Sequence, residues 1–248
     1  MGINVSNTVR DIAVNSPGAT RIFESMGIDY CCGGQKTLQD ACLASGISVE
    51  EIAGKLNDAA SRAQLAGNEI DWSNASLSGL IKYIEDSHHT YTREALARIS
   101  KLLTKVVAVH GGHHTELIEV QKLFTELVDE LEPHLQKEEE VLFPFIMNLE
   151  EALKRNSLPP TSCFGTVRNP VRMMNIEHET AGELLRGLRA ATGNYSAPED
   201  ACMSYRTLYE AMQELETDLH RHIHLENNIL FPRAVKAEEI AFGVVSQG

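Results

Sequence analysis

HLQKEEEVLFP (His134–Pro144) and HIHLENNILFP (His222–Pro232) are two copies of one pattern, H-x3-E-x2-[V/I]-L-F-P, set 88 positions apart (222 less 134). Residues four apart lie on one face of a helix, one turn above each other. His134 and Glu138 therefore project together, as do His222 and Glu226. Leu131, Leu135 and Leu142 flank the first pair, and Leu219, Ile223 and Leu230 flank the second, so the face carrying both pairs points inward. The helix before each copy repeats as well. His89 lies 45 positions before His134, and His178 lies 44 before His222 (134 less 89; 222 less 178). With those histidines aligned, Glu94 matches Glu183, Leu96 matches Leu185 and Ile99 matches Leu188. Aligning His88 instead spoils these matches, which selects His89. Each half is thus a helical hairpin, one helix offering a single histidine and the other a His–Glu pair. Two hairpins predict an all-α, antiparallel four-helix bundle over residues 76–240.

A carboxylate or imidazole buried without a partner is costly. Two His–Glu pairs and two further histidines facing one core need a shared partner, and a pair of cations supplies it. Four histidines and two glutamates form a nitrogen–oxygen donor set suited to iron and poorly suited to calcium or magnesium. The expected ligands are His89, His134, Glu138, His178, His222 and Glu226. Ferritin-like sites use Glu-x-x-His on two helices; here that order occurs once, from Glu85 to His88, and is not duplicated.

Outside the repeat the chain changes character. All ten histidines fall between His88 and His224, which predicts two domains with different chemistry. Residues 1–62 read as a small helical domain. Ser16-Pro17 has the form of an N-cap followed by proline at the first helical position, Gly27 ends that helix, and Ser48 with Glu51 forms a capping box. Residues 63–75 lack a period and read as a linker. In the bundle, Asn169-Pro170 is expected to open the third helix, while Leu208, Met212, Leu215 and Leu219 mark the fourth.

The chain has 248 residues, a 43% hydrophobic content and a net charge of −13, with no Lys/Arg block. That balance argues against nucleic acid and against anionic membranes as partners. The apolar stretches are too short to span a bilayer, and the N-terminus lacks the basic start and apolar block of a secretory signal, so a cytoplasmic location is expected. Gly2 and Ser6 match the myristoylation pattern, which is short enough to arise by chance. Five cysteines, two of them adjacent and none in a C-x-x-C pair, do not form a secreted disulfide framework.

The adjacent pair stands in DYCCGG (Asp29–Gly34), where the glycines free the backbone and are expected to expose the thiols of Cys31 and Cys32. These thiols read either as a redox or metal-handling pair, or as two small apolar residues in a turn. Together with KVVAVHG (Lys105–Gly111), NIEHE (Asn175–Glu179) and the two repeated motifs, DYCCGG resembles the iron–sulfur cluster repair di-iron proteins, the RIC family, over nearly the whole chain. The bundle then resembles a hemerythrin-like domain. The resemblance implies two non-haem irons, oxo- or hydroxo-bridged, on the six residues already selected. It also implies damaged iron–sulfur proteins as partners, repair after nitrosative or oxidative stress by iron donation, and an iron-transfer or redox role for Cys31 and Cys32. Two other readings fit the bundle: a protein that reversibly binds or senses NO or O2, and a reductase acting on NO. The first of these leaves the cysteines without work. Glu130, one turn before His134, and Glu177, next to His178, are candidate supports for the centre or solvated glutamates. Exposed thiols and a small flanking domain allow a homodimer. His110, His113 and His114 read as loop residues, and His220 and His224 as pointing off the face of His222.

Overall fold

The computed structural model describes residues 3–16, 18–66 and 71–243; Gly2 of the myristoylation pattern lies outside them. Among the described residues the regular elements are helices, with one isolated antiparallel bridge between Thr8 and Thr37. By contact the chain separates into two compact units, Met1–Ser76 with His220–Arg233, and Leu77–Leu219 with Ala234–Gly248.

The first unit opens with α1 (Val9–Asn15), α2 (Ala19–Met26), α3 (Leu38–Ser45) and α4 (Val49–Ala66). Threonine hydroxyls start two of them. Thr8 Oγ1 accepts the Asp11 N–H at 3.0 Å, and Thr37 Oγ1 accepts the Asp40 N–H at 3.1 Å. The expected cap at Ser16 is corrected: Ser16 closes α1, and the left-handed Gly18 begins α2, with Pro17 outside the described residues. Gly27 ends α2 at φ 67°, as expected. At α4, Ser48 Oγ accepts the Glu51 N–H, but the carboxylate it bonds is that of Glu50. Residues 63–66, assigned above to the linker, still belong to α4. Val9, Ile12, Phe23, Ile28, Tyr30, Leu38, Ile52 and Leu56 form this unit's core.

The second unit holds α5 (Leu77–Tyr83), α6 (Thr90–His110), α7 (Glu116–Lys137), α8 (Phe143–Arg155) and α9 (Arg168–Ala191), and most of α10 (Met203–His224); α11 (Phe231–Ala241) ends the described chain. Its core joins Leu96, Ile99 and Leu103 of α6 to Phe124 and Leu127 of α7, Leu185 of α9 and Leu208, Met212 and Leu215 of α10. These are the stripes read from the sequence, and they make the four-helix bundle.

Three joints between helices are π turns, closed by bonds from residue i+5 to residue i. The Thr90 N–H donates to the Glu85 carbonyl, Phe143 to Glu138, and Phe231 to Glu226. Proline explains two of them. Pro144 and Pro232, which end the repeated motifs, carry no N–H and clash with the carbonyl four residues back, so a regular helix cannot pass through. In the second copy that carbonyl belongs to Asn228, and the Arg10 guanidinium donates to it at 3.3 Å.

The repeat also governs helix starts. Glu150 Oε1 accepts the Leu77 N–H at 2.8 Å, and Glu150 Oε2 accepts the Ser78 N–H and hydroxyl, capping α5. Glu238, 88 positions later (238 less 150), accepts the Val167 N–H at 2.7 Å and the Thr166 hydroxyl, capping α9. This moves the start of α9 from the expected Asn169-Pro170 to Arg168, with the proline inside the first turn. Burial pushes the Glu150 carboxyl up, but hydrogen bonds from Ser78 and Lys154 and from the backbone of Leu77 and Ser78 outweigh it and hold the group below its usual range. That stabilisation is present above the unfolded carboxylate pKa and fades as pH falls through the lowered folded value. Glu238→Ala should cost about 1.5–3 kcal/mol, the range for bonds to a charged acceptor. Urea denaturation checks it, with a shifted midpoint and an unchanged slope.

Candidate metal centre

The second unit places four of the six expected ligands together. His89, His134, Glu138 and His178 are buried to within 1% of complete. Both His89 Nε2 and His134 Nε2 stand 3.5 Å from Glu138 Oε2, and His178 Nε2 stands 3.0 Å from His134 Nε2. The ligand atoms of His134, Glu138 and His178 lie within 4.8 Å of one another. In the first unit, His222 Nε2 is 3.0 Å from Glu226 Oε1, and both side chains are buried. The π turns set these positions. His89 ends the first, Glu138 begins the second, and Glu226 is the second residue of the third. His178 instead sits in unbroken α9. None of these turns was read from the sequence, although the two prolines carried the signal.

The imidazoles are oriented from behind. His89 Nδ1 is 2.7 Å from Glu139 Oε1, and Glu139 is clamped by both terminal nitrogens of Arg93 at 2.8 and 2.9 Å. His134 Nδ1 is 2.8 Å from Glu177 Oε2, whose other oxygen pairs with Lys137. Carboxylates behind Nδ1 hold both rings with Nε2 facing inward, the arrangement that metal-ligating histidines use. Burial pushes Glu177 up, yet His134 and Lys137 outweigh it and bring its carboxyl down to about 2. Glu139 is likewise held below its usual value, burial opposing, by Arg93 and His89. Glu177 is thus placed behind His134; Glu139 and Arg93 were missed, since neither repeats between the copies. Glu130 is partly exposed and makes no hydrogen bond or ion pair among the described residues.

Whether a cation fits is decided by Glu138. Its side chain is fully buried, and neither carboxylate oxygen has a hydrogen-bond partner among the described residues. A buried carboxylate facing three Nε2 atoms without a bonded donor is what a cation would complete. The 3.0 Å between His134 and His178 Nε2 is also about the edge of an octahedron with metal–nitrogen bonds of ~2.1 Å. The donors present fit a metal.

His88, the alternative to His89, is committed elsewhere: its Nδ1 lies 3.0 and 3.1 Å from the two Asp218 oxygens. His224 and His220 pack on the Tyr30 ring, and Asn228 donates to His224 Nδ1 at 2.9 Å. His114 bridges Glu116 and Asp200, and His110 Nε2 lies 3.2 Å from Cys202 Sγ.

At the adjacent cysteines the expectation of exposed thiols is corrected. Cys31 is buried and Cys32 half-buried, with the sulfurs 3.7 Å apart. The glycines serve close approach instead. A Cβ on Gly34 would stand 2.9 Å from the Tyr30 carbonyl, and the Gly34 carbonyl accepts the Arg10 N–H. Asp29 Oδ1 accepts the N–H of Cys31 at 3.2 Å and of Cys32 at 2.9 Å. The hydrogen bond to Cys32, followed by burial, pushes the Cys31 thiol well above its usual value. A reactive redox thiol has the opposite character.

Four helices around inward His and Glu side chains define a bundle of the hemerythrin type. Residues 80–234 match the hemerythrin HHE cation binding domain, and residues 5–60 match a domain of unknown function, DUF542. A probable iron-sulfur cluster repair protein of Haemophilus influenzae is 36% identical over 225 residues, covering 91% of this chain and 95% of that one. The iron-sulfur cluster repair protein YtfE of Enterobacter sp. (strain 638) is 35% identical over 230 residues, covering 92% and 96%. The chain belongs to the hemerythrin HHE cation-binding family and, within it, to the iron–sulfur cluster repair proteins. No described helix is long and apolar enough to cross a membrane.

The carboxylates behind the histidines give a first prediction for the site. Glu139→Ala and Glu177→Ala should each weaken metal binding about 10- to 100-fold while leaving the helical content intact. Competition with a metal-sensitive dye measures it; unchanged affinity would mean that neither carboxylate orients a ligand.

Proposed function

We propose that this chain repairs iron–sulfur clusters damaged by nitrosative or oxidative stress, giving up iron held in a two-iron centre. The observation that carries the reading is Glu138, a fully buried carboxylate without a hydrogen-bonded partner among the described residues, ringed by three histidine Nε2 atoms. The residues proposed to hold the two ions are the six that the repeat selects, His89, His134, Glu138, His178, His222 and Glu226. A metal held by these residues would also be able to take a small ligand such as NO or O2. When bound, the metals supply exchangeable iron and sites for such ligands. The chain's own residues do the rest: Glu139 and Glu177 fix the imidazoles, Arg93 and Lys137 fix those carboxylates, and the bundle core excludes water.

The functional division proposed is a 1–62 domain with the Cys-Cys turn, a 63–75 connection and a 76–240 metal domain, acting in the cytoplasm on damaged iron–sulfur proteins. Relatives named as iron-sulfur cluster repair proteins along nearly the whole length support it. The test loads the full chain with 57Fe and mixes it, without other iron, with a cluster enzyme inactivated by NO. About two irons per chain, a spin-coupled Mössbauer signal and transfer of 57Fe with recovered activity are expected. Iron retained and activity unrecovered would overturn repair by donation; N2O in the headspace on turnover would favour NO reduction instead.

A further inference from the structure

The bundle centre leaves the Cys-Cys turn of the first unit unexplained. The carboxylate of Asp29 and the thiols of Cys31 and Cys32 offer three ligand atoms within 4.8 Å of one another. The spacing is informative. Two thiolates bound to one tetrahedral ion at ~2.3 Å stand about 3.8 Å apart, and a thiolate and a carboxylate oxygen about 3.6 Å. The Cys31–Cys32 sulfurs are 3.7 Å apart, and Cys31 Sγ is 3.4 Å from Asp29 Oδ1. The sulfurs are thus separated as two ligands of one ion would be, and well beyond the ~2.05 Å of a disulfide.

The turn is also built rather than loose. Both cysteine N–H groups are tied to Asp29 Oδ1, and Gly34 allows the backbone to close on Tyr30. Asn227 donates to the Cys31 carbonyl at 3.2 Å, and Asn228 donates to the Tyr30 carbonyl at 2.9 Å. Both asparagines lie in the π turn that carries Glu226. The backbone at Tyr30 and Cys31 is therefore bonded to the two residues that follow Glu226.

We propose that Asp29, Cys31 and Cys32 form a second, exchangeable site for one divalent cation of the iron–zinc kind, separate from the His/Glu centre. Two thiolates and one carboxylate favour such an ion over calcium or magnesium. Three protein ligands leave one position open, the pattern of a site that trades its ion rather than a structural one. Half-exposed Cys32 gives the ion a way in. Binding replaces the two thiol protons, which pass to water, and changes no oxidation state. Its use as a staging point for iron rests on the repair reading; the binding itself does not.

The test uses the full-length chain, reduced and anaerobic, with its His/Glu centre already filled with iron. Titration with Co2+ should give a thiolate-to-cobalt charge-transfer band saturating at one ion per chain, a signal that no His/Glu site produces. Cys31→Ser/Cys32→Ser should abolish the band with the iron content unchanged, which also shows that the variant folds. Asp29→Asn keeps both thiols and should weaken cobalt binding tenfold or more. No band in the natural chain, a band that survives in the double variant, or a Cys31–Cys32 disulfide that persists under reductant would overturn the site. Intact cobalt binding in a protein that fails to reactivate a damaged enzyme would instead sink the repair reading and leave the site standing.

Discussion

Glu138→Gln should lose more than a hundredfold in affinity for both ions, so that the purified variant carries less than one metal per chain. The expectation follows from its position among the Nε2 atoms of His89, His134 and His178 and from the energetics of its burial. Even partners one shell further out are worth about 10- to 100-fold in metal affinity. In the metal-free protein the same change should have the opposite sign. An uncharged amide replaces a buried carboxylate whose oxygens lack hydrogen-bond partners, and its N–H groups can donate to His89 or His134 Nε2, each now 3.5 Å from Glu138 Oε2. The gain expected is about 1 kcal/mol. Metal analysis reads the first effect and urea denaturation of the stripped protein the second. A variant that keeps two irons would remove Glu138 from the centre.

Stripping the metal should produce the larger change in stability. A ligand that binds only the folded chain adds about 4 kcal/mol when present at a thousand times its dissociation constant. For a chain of this length that amounts to roughly 8–16 °C in Tm. The proposed ligands come from α7, α9, α10 and three π turns, sites an unfolded chain does not bring together. Calorimetry with and without a chelator, repeated after iron is restored, measures it. A Tm indifferent to chelation would mean that the packed core alone holds the bundle.

Much of this could be read from residues because duplication writes each signal twice. The His-x3-Glu pairs and the choice of His89 over His88 came from matching the copies, the stripes of the bundle came from helical spacing, and the structure buries each of these residues. Glu177 was flagged by adjacency to His178 but serves His134, a partner on another helix that no spacing rule reaches. Glu139 and Arg93 lie 46 positions apart and meet only through folding. The caps at Glu150 and Glu238 repeat at the same interval as the ligands, yet long-range capping by a glutamate has no local pattern. The thiols were misread because the glycines of DYCCGG were taken as freedom, whereas they permit the backbone to fold tightly over Cys31.

The turns after Glu138 and Glu226 have a genetic consequence. Each holds one residue more than a regular helix would use, and everything beyond it is rotated by about 100° relative to an uninterrupted helix. Deleting a single codon within 139–142 would leave Phe143, Ile146 and Leu149 in phase with the core but drive the Pro144 ring against the carbonyl four residues back, at a cost of about 3 kcal/mol, with His134 and Glu138 untouched in sequence. Reading frame kept and ligands kept would not suffice. The surplus residue is itself inherited information, and its loss should be tolerated far less well than most substitutions at the same positions.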